Sequence, residues 1–186
     1  MPKDNRSKYA VLGMVEQKPM SGYDIRKFAA QSVAHFWKED YSHIYPTLKL
    51  LLDEGLVDKR EELAEAGPAR NVYSINPEGR KALAAWLQEE PNPPNLRIEI
   101  LLKVFLGAAA KPGSLEPMLE RQIQACVESI AQLGAVESHL LEEIERGGKR
   151  GRHARFQLMT LRYGKSYYEG FAAWCRAALE ELRAPL

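Results

Sequence analysis

A run of mixed hydrogen-bonding groups lies between Tyr41 and Lys49, in the segment YSHIYPTLK. Ser42 and Thr47 carry hydroxyls, Tyr45 a phenol, His43 an imidazole and Lys49 an ammonium. Nothing in the chain is arranged for bond breaking. GxSxG and HExxH motifs are absent, and no cysteine–histidine pair has a signature spacing. His35, His43, His139 and His153 lack metal-ligand spacing, so no metal, no cofactor and no enzyme activity are expected. What remains is hydrogen bonding and charge neutralisation. Groups of these types at the start of a helix reach base edges and phosphate oxygens.

Such groups act together only if a helix presents them on one side. Ser42 is the expected N-cap, and Pro46 falls in the first turn, where a missing N–H breaks no intrahelical bond. Ile44, Leu48, Leu51 and Leu52 form an apolar stripe. Ser42, Pro46, Lys49 and Asp53 stand opposite it, with Tyr45 and Thr47 on the flanks. Leu50 lies near the polar face, and Gly55 is the left-handed stop. Beyond it, LVDKRE and ARNVYSI read as two short strands around the tip ELAEAGP, with Tyr73 and Ile75 on the buried face. Lys59, Arg60 and Arg70 on this ribbon are candidate phosphate contacts, as are Lys3, Arg6 and Lys8 ahead of the first helix.

The flanking elements follow from the same rules. Tyr9, Val11, Leu12 and Val15 predict a helix over Ser7–Glu16, stopped by Lys18-Pro19. Ser21 or Gly22 starts a second helix, on which Ile25, Phe28 and Ala29 share a face. Asn76 caps a helix that has Pro77 at its first position. Three short helices followed by a ribbon is the order of a winged helix-turn-helix, in which the third helix enters a DNA major groove. This domain is expected over residues 1–90. The proline-rich PNPPN, residues 91–95, is the expected linker.

Residues 96–186 read as a helical domain. A helix around Leu96–Ala109 is apolar on most sides, which predicts burial. From Ser114 to Arg146, Leu119, Ile123, Cys126, Ile130, Leu133, Glu137, Leu140 and Ile144 alternate by four and three, a heptad seam. A helix of that length spans roughly 50 Å, which implies a partner helix from a second copy. RGGKRGR reads as a linker to a last helix ending near Arg183. That helix has one stripe through Phe156, Met159, Tyr163, Tyr167 and Trp174, and another through Leu161, Tyr168, Phe171, Cys175, Leu179 and Leu182. Burial on two sides suits packing against its own domain and a second subunit. The expected dimer residues are Leu119, Ile123, Ile130, Leu133, Leu140, Phe171 and Trp174. Aromatics also line small-molecule sites, so Tyr163, Tyr167, Trp174 and Arg155 are the candidates for an effector pocket.

Composition sets the outer limits. The chain has 186 residues and a formal net charge of +1, so any basic surface must come from placement rather than excess. Cys126 and Cys175 form no CxxC pair, and reduced thiols are expected. The segment MPKDNRSKYAVLGMVEQ lacks the apolar stretch of a secretory signal, and IEILLKVFLGAAA is too short and too charged for a membrane span. A cytoplasmic protein with no membrane partner is expected.

Three stretches resemble the longer, two-domain members of the PadR family of transcriptional regulators: SGYDIRKF, HIYPTLKLLLDEGLV and GPARNVYSINPEGRKALAAW. Tyr45-Pro46 with Leu48, Leu51, Glu54, Gly55 and Leu56 is similar to the family's recognition-helix signature. Arg70, Tyr73 and Gly79 are similar to its wing strand and the glycine opening the next helix. GKSYYEGFAAWCRAAL is similar to the last helix of its C-terminal domain. Ile75-Asn76-Pro77 and Leu50 depart from the usual pattern. The resemblance implies a homodimer on a roughly palindromic double-stranded DNA operator, acting as a repressor relieved in some members by a small aromatic effector. An activator working with a partner regulator, and a dimerisation adaptor whose winged helix binds protein, are the alternative expectations; a ligand-sequestering protein is a third.

Overall fold

The computed structural model describes residues 6–33, 36–37, 43–62, 69–94 and 96–184. The chain divides into two compact units, Met1–Asn92 and Pro93–Leu186. The division falls within the proline-rich pentapeptide.

In the first unit, α1 (Ser7–Gln17) is followed by β1 (Met20–Ser21), α2 (Gly22–Ser32), α3 (Ile44–Asp53), β2 (Val57–Glu62), β3 (Arg70–Ile75) and α4 (Pro77–Trp86). β3 lies between β1 and β2 and is antiparallel to both, with Lys59 opposite Tyr73 and Met20 opposite Tyr73 on the other edge. The sequence pointed to two strands. The third, β1, is two residues long and pairs through its backbone, so it leaves no side-chain period to read. Ser21 ends β1 and caps α2 in a capping box: its hydroxyl accepts from the Asp24 amide at 3.2 Å, and Asp24 accepts from the Ser21 amide at 3.1 Å. Asn76 caps α4 by accepting from Gly79 N at 2.9 Å, and donates to the Gly55 carbonyl at 2.9 Å. One side chain thus ties the stop of α3 to the start of α4. Gly55 has φ +67, the left-handed value its role requires.

The core of this unit is built by Leu12, Val15, Met20, Ile25, Leu48 and Leu51, with Tyr73 and Ile75 of the sheet closing it. Tyr9 stacks on Trp86 with ring centroids 4.8 Å apart, joining α1 to α4. Gly79 is obligatory, because a Cβ there would overlap the Leu56 carbonyl.

The second unit holds α5 (Glu99–Phe105), a 3-10 turn (Gly107–Ala109), α6 (Glu116–Arg146) and α7 (Gly148–Arg183). Three expectations are corrected here. The buried helix over 96–109 is a seven-residue α5 that leaves Leu101, Leu102, Phe105 and Leu106 exposed and buries only Ile100. RGGKRGR is not a linker: Gly147 and Gly148, at φ +73 and +69, make the turn, and α7 is Gly148–Arg183. The heptad seam of α6 needs no second copy, because α7 of the same chain covers it. Leu119 packs with Cys175 and Leu179 at one end, and Leu140 packs with Ala154, Leu158 and Leu161 at the other. Glu137, the charged member of the seam, accepts from Lys165 at 2.6 Å and Arg162 at 3.5 Å. Gly151 permits the close approach beside the turn, since a Cβ there would sit 2.8 Å from the Glu143 carbonyl oxygen. Periodicity along α6 reports that a helix must cover it, not from which chain.

Candidate nucleic-acid interface

α3 carries the polar groups as an amphipathic helix must. Ile44, Thr47, Leu48 and Leu51 are buried; Tyr45, Pro46 and Lys49 are exposed, and Leu50 is half-buried. Pro46 is the third residue of the helix, inside the turn that has no amide partner to lose. His43, which is exposed, occupies the cap position without a side-chain cap bond. The expected cap, Ser42, lies outside the described residues. Thr47 is a correction. It is 6% exposed, buried with Ile44, Leu48 and Leu51 rather than presented beside Tyr45 and Lys49. The spacing from Ile44 (i, i+3, i+4, i+7) carried that signal.

Tyr45 is 65% exposed, yet its ring is placed by packing. It lies against Gly22, the first residue of α2, where a Cβ would stand 2.7 Å from its Cε1. Its phenol also neighbours that of Tyr73, whose pKa is raised first by burial and then by Tyr45. Beside it Tyr23 is 70% exposed, with Arg26 and Lys27 exposed on the same helix. Sequence reasoning did not single out these three. They lie opposite the buried Ile25 and Ala29, so the apolar stripe of α2 was the signal that could have found them.

The ribbon cations divide into two kinds. Arg60 is bound to Glu62 at 2.6 Å, and Arg70 to Glu62 at 3.2 Å and Asp24 at 3.7 Å. The Asp24 carboxyl is held below the usual range, chiefly by the Ser21 hydroxyl and further by Arg70. Lys8 pairs with Glu54 at 2.9 Å and lies 5.3 Å from the centre of the Tyr9 ring. Lys49 and Lys59 are exposed and carry no ion pair among the described residues. The tip of the ribbon and Lys3 lie outside the described residues.

In the second unit, a cleft of about 360 Å³ opens between α5, α6 and α7. Its lining combines Arg97, Lys103 and Gln122 with Ile98, Met118, Tyr167 and Phe171. Lys103 is held by Glu99 at 2.7 Å, leaving Arg97 as the cation without an ion pair there among the described residues. Of the expected effector residues, only Tyr167 lines the cleft. Trp174 stacks on Phe171 at 5.8 Å instead, and Tyr163 and Arg155 are exposed elsewhere on α7. Arg97 and Lys103 were missed because they flank an apolar run that read as buried. Cys126 and Cys175 are free and buried, and burial raises both thiol pKa values. No cluster of metal-binding side chains occurs, and no helix is long and apolar enough to cross a membrane, among the described residues.

A three-strand winged unit with an exposed third helix, followed by a helical unit, defines the class: a winged helix-turn-helix fold with a C-terminal helical unit. Residues 11–85 match the model of the transcriptional regulator PadR-like family, and residues 96–183 match that of the virulence activator alpha C-terminal region. The negative transcriptional regulator PadR of Bacillus subtilis (strain 168) is 30% identical over 118 residues, 63% of this chain and 65% of that protein. The crystal structure of Bacillus subtilis PadR in complex with operator DNA superposes with a TM-score of 0.82 at 22% identity, covering 97% of this chain and 99% of that one. The same protein in complex with p-coumaric acid gives 0.74 at 22% identity, covering 95% and 98%. Residues 11–85 thus form a domain of the PadR-like family of transcriptional regulators.

Proposed function

We propose that this protein is a DNA-binding repressor that holds a roughly palindromic operator as a homodimer and is released by a small aromatic effector. The observation that carries the reading is the exposed start of α3, where Tyr45, Pro46 and Lys49 stand over a side buried by Ile44, Leu48 and Leu51. Tyr45 and Lys49 reach base edges and phosphates; Lys59 on the ribbon adds a phosphate contact that positions without reading sequence. In a homodimer two such helices enter successive major grooves about 34 Å apart. Exposed Phe156, Met159 and Tyr163 on α7, with Leu102 and Phe105 on α5 and Leu106 just after it, are the apolar surface available to a second copy. The relative bound to p-coumaric acid supports the effector class, and Arg97 with Tyr167 and Phe171 offers a guanidinium and two ring faces to an aromatic carboxylate. An effector that binds better to one arrangement of the dimer changes the distance between the recognition helices and weakens DNA binding.

Fluorescence anisotropy with the DNA upstream of its own gene tests this reading. Wild type binds with log affinity falling linearly against log salt, and Lys49→Ala binds about tenfold more weakly. Unchanged binding by the variant removes α3 from its role. One observation favours a second reading, a helical adaptor whose winged unit binds protein: Lys8, Arg60 and Arg70 are already committed to carboxylates of their own chain. Failure of wild type to bind any upstream fragment would support it. The C-terminal match to a virulence activator region keeps activation with a partner regulator as the alternative sign of control.

A further inference from the structure

The turn between α6 and α7 concentrates charge that the reading above does not use. From Arg146 to Arg155 the chain runs RGGKRGRHAR: five cationic side chains and no carboxylate in ten residues. Arg146 is neutralised by Glu142 and Glu143 on α6. Arg150, Arg152 and Arg155 are exposed and have no ion pair among the described residues. Ala154, the one apolar side chain with a Cβ in this stretch, is buried; the exposed Phe156 that follows belongs to the apolar surface assigned above to a second copy. The protein as a whole is nearly neutral, and Lys8, Arg60, Arg70 and Arg80 of the winged unit are each paired with a carboxylate. The tip is therefore a local concentration of exposed arginines with no ion pair among the described residues.

We infer that this helix-hairpin tip is a second DNA contact, one that binds duplex phosphates without reading sequence. It rests on the DNA-binding reading above. Arg150 to Arg155 spans about 7.5 Å of helix, over which one strand of a duplex presents about two phosphates. Arginine can pair with guanine as well as with phosphate, so the contribution of charge alone is what the arginine-to-lysine comparison on scrambled DNA isolates. An acidic protein surface is the rival occupant. Lys8, Arg60 and Arg70 of the winged unit are held by carboxylates of their own chain, so arginines at the hairpin tip add phosphate neutralisation to that of Lys49 and Lys59, which favours DNA as the occupant.

The test uses the full chain with Arg150, Arg152 and Arg155 all changed to Ala, and a second variant with all three changed to Lys. Alanine is the best helix former, so circular dichroism should show α7 intact. On a duplex of scrambled sequence, the slope of log affinity against log salt is expected to be shallower by about 2 to 3 in the alanine variant, and unchanged in the lysine variant. An alanine variant with the wild-type slope, or a lysine variant as weak as the alanine one, overturns the inference. Lys49→Ala on the upstream fragment reports separately on α3, so failure of one does not mimic failure of the other.

Discussion

At the scale of single residues, Gly22 and Tyr45 make a sharper test than either alone. Gly22→Ala puts a methyl into the Tyr45 ring, which is exposed and free to swing away. The expected stability cost is therefore below about 1 kcal/mol. Affinity for the upstream DNA falls several-fold, because Tyr45 is moved off its position, and parallel melting and anisotropy curves check both halves. A large loss of stability with unchanged DNA affinity would mean that the packing matters and the phenol does not. Much at this scale was legible in the sequence. Pro46, Gly55, Asn76 and Pro77 obey local backbone rules that hold wherever the chain goes. Thr47 was misplaced because its residue type was weighed above its spacing from Ile44. The partners of Arg60, Arg70 and Lys8 were not legible, since Glu62, Asp24 and Glu54 meet them only through tertiary structure.

At the scale of elements, the α6–α7 pair is set by Glu137 as well as by the leucines. The carboxyl of Glu137 is held below the ordinary range, first by its hydrogen bond from Lys165 and further by Arg162. A carboxylate whose folded pKa is depressed adds stability above its unfolded value, and that stability is lost as pH falls through the folded value. Near pH 7, Lys165→Ala should cost the second unit about 0.5–1 kcal/mol, the range of partly exposed pairs. The difference between variant and wild type should shrink toward zero as the pH drops below the usual glutamate range, which thermal melts across that interval would show. A difference independent of pH would assign the cost to lost packing of the Lys165 stem. Sequence periodicity gave α6 its seam and α7 its two stripes, but a heptad pattern is the same for a helix covered by its own chain and one covered by another. The glycine turn at Gly147 decided between them, and it was misread as a linker because glycines and arginines together mark both turns and connectors.

For the whole molecule, α7 covering α6 leaves a different apolar surface for the dimer proposed above. Leu119 and Leu140 are used within the chain, while Phe156, Met159 and Tyr163 remain outside. Light scattering of the wild type is expected to give twice the chain mass. Met159→Glu with Tyr163→Glu should shift it toward the monomer while helix content is kept, since both side chains are exposed. DNA affinity should fall with it, because a single winged unit holds one half-site. A double variant that stays dimeric would place the second copy on another face. The fold class was readable from element order alone; the assignment of surfaces to partners was not, because exposure is a property of the folded chain.

The most direct measurement is cleavage of the upstream DNA by an iron chelate tethered at position 49 in Lys49→Cys. Cys126 and Cys175 are free but buried, which shields them from the labelling reagent, and a Cys126→Ser, Cys175→Ser background checks that the label sits at position 49. If α3 enters the groove, cuts should fall in two clusters about one helical turn, or a multiple of it, apart. Bound protein that leaves the DNA uncut from position 49 would contradict the account.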